Sequence, residues 1–261
     1  MIHFNEYLER SIDMSQENLK HNIINNECKT CSHGIGKNGF DPQTSCINVV
    51  PIFNHLEAEQ MEEIMQVMRS FSYKKGEVIY REGDTSDALY VVSKGKIRIY
   101  RLSESGKEQL LRILNPGNFT GELALFRESI HEAYAEAMMD TDVCMIRKDD
   151  LQEFLIKYPT ISLKFLSEFS NRLETSEKQT TRFATEKVDT RLALFLAECL
   201  DVNEVSMHIE LPMNRKDLAS YLGTTPETVS RKLTDFEDQG YIKQITSKKI
   251  EILNLDDLLL I

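Results

Sequence analysis

Cys28, Cys31 and Cys46 gather three of the chain's five thiols into one nineteen-residue stretch, "CKTCSHGIGKNGFDPQTSC". Thiolates at such spacing can hold a metal, form a reversible disulfide or carry a cluster. A gap of two between Cys28 and Cys31 lets one loop cover two corners of a metal site. Zinc on Cys28, Cys31, Cys46 and a fourth ligand such as His33 is chemically sound. A thiol–disulfide switch at Cys28 and Cys31 fits as well. Fourteen residues separate Cys31 from Cys46, with glycines at 34, 36 and 39. Closing a loop of that length adds only on the order of 1 kcal/mol, because the entropic cost grows logarithmically. Cys199 lies on the apolar side of a predicted helix and reads as a small core residue.

A second set of chemical groups lies in "NRKDLASYLGTTPETVSRKLTDFEDQG", residues 214–240. Asn214 can cap a helix whose inner face is Leu218, Ala219 and Leu222. Gly223 supplies a turn, and Thr225 caps a second helix that has Pro226 at its favoured first position. With Val229, Leu233 and Phe236 inward, Glu227, Thr228, Ser230, Arg231 and Lys232 are left outward near the N-terminal end. Those side chains suit the major groove of DNA. Arginine grips guanine in a bidentate pair, glutamate accepts from cytosine, and serine or threonine bonds to base or phosphate. Residues 213–232 hold four basic side chains (Arg215, Lys216, Arg231, Lys232) against Asp217 and Glu227.

That local sign opposes the global one. The 261 residues carry 31 basic and 42 acidic groups, a net −11, which argues against a nucleic-acid binder, because phosphate contacts want positive charge. A small basic patch can still bind DNA on an acidic molecule. At 41% apolar and 28% charged the chain has the composition of a soluble globular protein of one large or two medium domains. No apolar run approaches the roughly 18 residues of a membrane span. The N-terminus, "MIHFNEYLERSIDMSQ", lacks the basic flank and apolar stretch of a signal peptide. A cytoplasmic location follows as the expectation, and in that reducing setting a structural disulfide is disfavoured.

The elements that must hold these groups divide the chain into four. Residues 1–50 read as a short amphipathic helix (Tyr7, Leu8, Ile12) and the cysteine-bearing sensor segment. Residues 51–157 open with a helix over "FNHLEAEQMEEIMQVMRSF" and continue as short strands, "EVIY", "ALYVVS", "KIRIYRL" and "QLLRIL", between glycine turns. That spacing predicts a jelly roll, or β-roll. Residues 158–187 predict a long helix whose line Ile161, Phe165, Phe169, Leu173, Ser176 and Thr180 suggests a homodimer spine, weak in its polar half. Residues 188–261 predict a helix, the helix–turn–helix and a two-stranded wing turning at Ser247–Lys248. The fold class is α+β: β-roll, long helix, winged helix–turn–helix.

This order, with "REGD", "LYVVSKGKIRIY", "NPGNFTGELALF" and "DLASYLGTTPETVSRKL", resembles the CRP/FNR family of bacterial transcription regulators over roughly residues 50–255. "ETVSR" is similar to the recognition helix of the FNR branch, which reads a TTGAT half-site. The resemblance implies Glu227, Ser230 and Arg231 as base readers, an inverted-repeat operator, RNA polymerase as a partner and no enzymatic activity. It also implies a [4Fe–4S] cluster on Cys28, Cys31, Cys46 and Cys144, the last within "DTDVCMI", whose loss to oxygen loosens the dimer. The cyclic-AMP branch clamps its nucleotide with an Arg-Ser pair about ten residues after "GEL". Here Glu132 and Ala133 stand at those positions after Gly121, Glu122 and Leu123, which disfavours nucleotide gating. Zinc, a thiol–disulfide switch, or no bound group remain the alternatives at the cysteines.

Overall fold

Turn glycines divide residues 69–147 into short antiparallel strands, as the sequence predicts. The computed structural model describes residues 29–30, 35–36, 39–40, 47, 49–126, 129–200 and 207–261. The helix expected around Tyr7, Leu8 and Ile12 lies outside them. In chain order come β1 (Lys29–Thr30), β2 (Ile35–Gly36), β3 (Gly39–Phe40), α1 (Ala58–Val67), β4 (Arg69–Tyr73), β5 (Val78–Tyr80) and β6 (Thr85–Ser86). Then follow β7 (Ala88–Lys94), β8 (Ile97–Leu102), β9 (Glu108–Leu114), β10 (Phe119–Thr120), a 3-10 turn (Glu122–Leu125), β11 (Ser129–Ile130), β12 (Tyr134–Ala137) and β13 (Thr141–Arg147). The remainder is α2 (Lys148–Lys157), α3 (Pro159–Thr185), α4 (Val188–Glu198), β14 (His208–Glu210), α5 (Arg215–Leu222), α6 (Pro226–Asp238), β15 (Ile242–Gln244), β16 (Lys249–Ile252) and α7 (Leu255–Leu259).

Two compact units result, one within residues 1–101 and 112–168, the other within 102–111 and 169–261. The division passes through α3 rather than at its ends. The first unit is the β-roll. Its larger sheet has the order β1-β4-β13-β7-β10, and its second sheet the order β5-β12-β8-β9. Val91, Val92, Ile97, Ile99, Leu114 and Phe119 fill the interior. α1 is shorter than its apolar periodicity suggests. Met61, Ile64 and Met65 are buried on it, but Met68 is already extended and residues 69–73 join the sheet as β4. Ladder hydrogen bonds to β13 override the local helical pattern there. The loop between Cys31 and Cys46 carries a small hairpin, β2 on β3, with Ile35 opposite Phe40.

The long helix corrects the expected dimer line. Ile161 and Phe165 are fully buried in the first unit, and the Phe165 ring meets Phe119 edge-on at 5.4 Å. They anchor the helix to its own roll and are not available to a second subunit. Phe169 is half-buried, while Ser176 and Thr180 are exposed. Thr180 Oγ1 donates back to the Ser176 carbonyl at 2.8 Å. The most exposed large apolar residues of the helix are Leu163 (67% exposed), Leu166 (60%) and Leu173 (61%), spaced three and seven apart. Only Leu173 of the expected line keeps that position, because the roll claims the other apolar stripe of the helix.

An imidazole lies in the interior of the roll. His131 is 6% exposed and stacks on Tyr80 with centroids 3.6 Å apart and planes 8° from parallel. Among the described residues its buried Nε2 has no hydrogen-bond partner. Burial holds its pKa down to about 4, against the opposing pull of Asp84, Asp87 and Glu122. The folded state therefore favours the neutral ring. Its contribution is complete above the ordinary value of 6.5 and is lost as pH falls from there toward 4, because the unfolded chain takes the proton first. The loss should reach about 2 kcal/mol at pH 5. Thermal melts of the wild type between pH 7 and 5 should fall more steeply than those of His131→Phe, which keeps the stack. Equal slopes would rule out this assignment.

Candidate nucleic-acid interface and cysteine centre

The second unit seats its two helices through local chemistry. Asn214 Oδ1 accepts from the Asp217 N–H at 2.9 Å and caps α5. α5 ends at Gly223, whose φ of 68° is open to glycine without strain. Thr225 Oγ1 accepts from the Thr228 N–H at 3.3 Å and caps α6, with Pro226 at its first position. Val229, Leu233 and Phe236 of α6 are buried, as are Leu218, Ala219 and Leu222 of α5. β14-β16-β15 completes a three-stranded wing. The strand β14 lacked a clear sequence signal, since its three residues alternate only once.

The candidate base readers divide into two groups. Glu227, Ser230 and Arg231 are exposed, and Thr228 is half-buried with its hydroxyl 3.2 Å from that of Thr225. The Glu227 carboxyl is held below the usual range by its own backbone N–H and by the Thr225 hydroxyl. It therefore faces solvent as an acceptor. Lys232 turns elsewhere. Its Nζ lies 3.2 Å from Asp189 Oδ2 and 3.8 Å from Asp235, and its side chain is only 27% exposed. Burial opposes ionisation of Asp189, but the Lys232 ammonium and the Thr190 N–H outweigh it and keep the carboxyl below its usual value. Lys232 thus braces α6 against the start of α4. Arg215 is likewise committed, donating from Nη2 to Gln244 Oε1 at 3.0 Å, and Lys216 lies 3.5 Å from Glu108. Among the described residues, Arg231 alone of the four counted bases has no such partner. Lys243, Lys248 and Lys249, exposed on the wing, complete the positive surface. The "SKK" turn was visible in the sequence as a wing, without the role of its charges.

Of the cysteine set, Cys144 is described and fully buried on β13. It pairs with Ser70 of β4, and Ser70 pairs on its other side with Lys29 of β1. β1 is the two-residue strand that separates Cys28 from Cys31 in the chain. Neighbouring strands lie about 4.8 Å apart, so Lys29 and Cys144 have Cα atoms about 10 Å apart. Cys28, Cys31 and Cys46 lie outside the described residues. Among the described residues no three histidine, cysteine or acidic side chains converge as a metal-holding group. Cys199 follows the last turn of α4, and burial pushes its thiol up to about 11, with Glu198 adding to the effect. Cys199 is half-buried rather than part of the core, and its thiolate form is disfavoured.

The nucleotide-clamp positions contain their own salt bridge. Glu132 Oε2 accepts from Arg101 Nη2 at 2.6 Å, and Arg101 Nε donates to the Glu132 carbonyl at 2.9 Å. Deeper in, Arg112 Nη2 lies 3.3 Å from Glu122 Oε1 and 3.4 Å from Thr120 Oγ1. Thr120 Oγ1 in turn shares a 2.7 Å hydrogen bond with the Tyr80 hydroxyl.

Comparison with known proteins agrees with this architecture. A cyclic nucleotide-binding domain model matches residues 70–158, and a Crp-like helix-turn-helix domain model matches residues 190–261. A "Probable transcriptional regulator flp" of Lacticaseibacillus casei is 36% identical over 216 residues, 82% of this chain and 96% of that protein. An "Anaerobic regulatory protein" of Haemophilus influenzae is 30% identical over 79% of this chain and 80% of its own. The solved structure of FixK2 from Bradyrhizobium japonicum superposes with a TM-score of 0.64 at 30% identity, over 74% of this chain and 96% of that one. The chain belongs to the CRP/FNR family of DNA-binding transcription regulators, a family of regulators rather than enzymes. Among the described residues no helix is long and apolar enough to cross a membrane.

Two substitutions separate reading from bracing. Arg231→Ala should cost about 1–3 kcal/mol of discrimination at one base pair of each half-site. Lys232→Ala should lower the melting temperature and leave base preference unchanged. Binding to a panel of singly substituted duplexes, alongside thermal melts, checks both.

Proposed function

We propose that this regulator is of the FNR type, sensing oxygen through a [4Fe–4S] cluster held by Cys28, Cys31, Cys46 and Cys144. The observation that carries the reading is the row of backbone pairs Lys29–Ser70–Cys144. It brings the strand between Cys28 and Cys31 to within two strands of the fourth thiol, a span that a four-iron cage with two cysteine side chains can cover. When bound, the cluster would supply an oxygen-labile cross-link between the leader and the sheet. Two relatives named "Anaerobic regulatory protein" lend support. Against nucleotide gating stands the Arg101–Glu132 pair, which sets a carboxylate where the clamp needs a guanidinium.

The chain's own residues carry the signal onward. β1 pairs with β4, so docking of the leader adds an edge strand to the sheet that contains Cys144. Two copies of α3 pair along Leu163, Leu166 and Leu173, three exposed leucines near heptad spacing. Ser170, in step with them, and the polar residues at 176, 177 and 180 keep that seam weak in its second half, so that dimerisation stays switchable. The paired subunits present Glu227, Ser230 and Arg231 to successive major grooves of a TTGAT-like inverted repeat in the cytoplasm, where RNA polymerase is the partner.

Anaerobic purification should yield a brown protein with about four irons and four sulfides per chain, bleached by air. Zinc in place of iron, or metal-free protein that binds its operator equally well in air and without it, would overturn the sensor reading. Leu166→Glu should weaken self-association by at least about tenfold in sedimentation velocity, since a charge would enter the seam. Unchanged association would place the dimer seam elsewhere.

A further inference from the structure

Gln244, the last residue of β15, joins three elements. Its backbone N–H donates to Glu237 Oε1 at 2.8 Å, and its Nε2 donates to Glu237 Oε2 at 2.9 Å. One residue thus takes both oxygens of a carboxylate near the end of α6. On its other side Gln244 Oε1 accepts from Arg215 Nη2 at 3.0 Å, at the start of α5. All three residues are half-buried. The backbone N–H and side-chain amide of Gln244 keep the Glu237 carboxyl below its usual pKa, so the clamp is charge-assisted at neutral pH.

Beyond Gln244 the chain turns tightly. The Ile245 and Thr246 N–H groups both donate to the Lys249 carbonyl, at 2.9 and 3.1 Å. Thr246 Oγ1 accepts from the Lys248 and Lys249 N–H groups, at 3.2 and 2.9 Å. The turn is therefore rigid in itself, and its two lysines are exposed. What aims it is its root. Buried Ile242, Ile250 and Ile252 hold the base of the ribbon by apolar packing, which has no preferred direction. The bidentate carboxylate does set a direction, and it sits six residues after Arg231 on the same helix. The wing is thereby referred to the recognition helix itself.

We propose that Gln244 is a positioning residue for phosphate binding, holding Lys248 and Lys249 of the wing in register with the base-reading face of α6. The proposal rests on DNA binding by this unit but not on the identity of the operator or the sensor. β14 pairs with β16 as far as Lys249, and the Leu211 N–H donates to the Lys248 carbonyl at 2.8 Å, so the three-stranded wing turns as one body. Removing the clamp that ties β15 to α5 and α6 lets that body shift by more than a lysine–phosphate hydrogen bond tolerates.

The test uses the full chain and two duplexes of equal length, one with an inverted TTGAT repeat and one scrambled, titrated across a salt series. Four variants are compared: Gln244→Ala; Lys248→Ala with Lys249→Ala; all three together; and the exchange Glu237→Gln with Gln244→Glu. Gln244→Ala should weaken binding to both duplexes by a similar factor. It should also flatten the dependence of log affinity on log salt by about 0.9 for each phosphate that the wing no longer neutralises. In the background lacking both lysines, Gln244→Ala should change nothing further. The exchange keeps every donor matched to an acceptor and should restore both affinity and salt slope. Additive losses, an unchanged salt slope, or failure of a normally melting exchange variant to recover would overturn the proposal. Should Gln244→Ala fail to fold, the exchange variant alone decides by its recovery. Equal wild-type affinity for the two duplexes would count against the operator reading alone, and the scrambled duplex would still report the salt slope.

Discussion

Phe183 stands where residue 223 has no room for a side chain. A Cβ built on Gly223 would lie 2.9 Å from the Phe183 ring, at a backbone φ of 68° that already disfavours anything but glycine. The turn between α5 and α6 is therefore set twice, by its own dihedral and by the end of α3 pressed against it. Arg191 lies over the same ring at 4.9 Å, and Arg182 pairs with Glu198 at 2.6 Å. The last turns of α3, all of α4 and the turn of the motif thus form one packed body. The direction in which Arg231 emerges follows from that packing, as do the docking of Lys232 on Asp189 and the root of the wing.

The allocation of charge explains how an acidic protein can bind DNA. With a net −11, the molecule does not attract phosphate as a whole. Within the helix–turn–helix Arg215 is taken up by Gln244 and Lys232 by Asp189, while Lys216 stays exposed beside Glu108. The exposed remainder is concentrated in Arg231 on α6 and three lysines on the wing. Such economy favours specific over non-specific binding, because the sequence-independent attraction that scales with neutralised phosphates is small.

The roll has kept a fold whose family model is that of a nucleotide-binding domain while binding its polar interior to itself. Glu122 meets Arg112, Thr120 meets Tyr80, and His131 stacks on Tyr80. Gly121, with φ at 85° and the Ala88 carbonyl 2.3 Å from any added Cβ, still makes the close turn ahead of Glu122. The turn geometry belongs to the fold and is held by Gly121 itself, independently of the Arg101–Glu132 pair. In the same roll, the edge of the larger sheet now accepts β1 from the cysteine-bearing leader.

Much of this was legible in the residues. Caps at Asn214 and Thr225, glycine at the turn and proline at the first helical position are local rules, and each holds in the structure for a local reason. The strand spacing of the roll was legible on the same grounds. The phase of α3 was not, because the helix carries two apolar stripes and periodicity alone cannot say which one the roll will cover. Nor was the fate of Lys232, whose outward place in the helical pattern is overridden by an aspartate forty-three residues away. α2 and β14 were unread because their patterns are short and polar. The amino-acid sequence by itself therefore determined the family, the strand-rich roll and the two capped helices of the motif. Only tertiary structure decided which charges stay free, which leucines face outward and which strand approaches Cys144, because each depends on surfaces that meet across long chain separations.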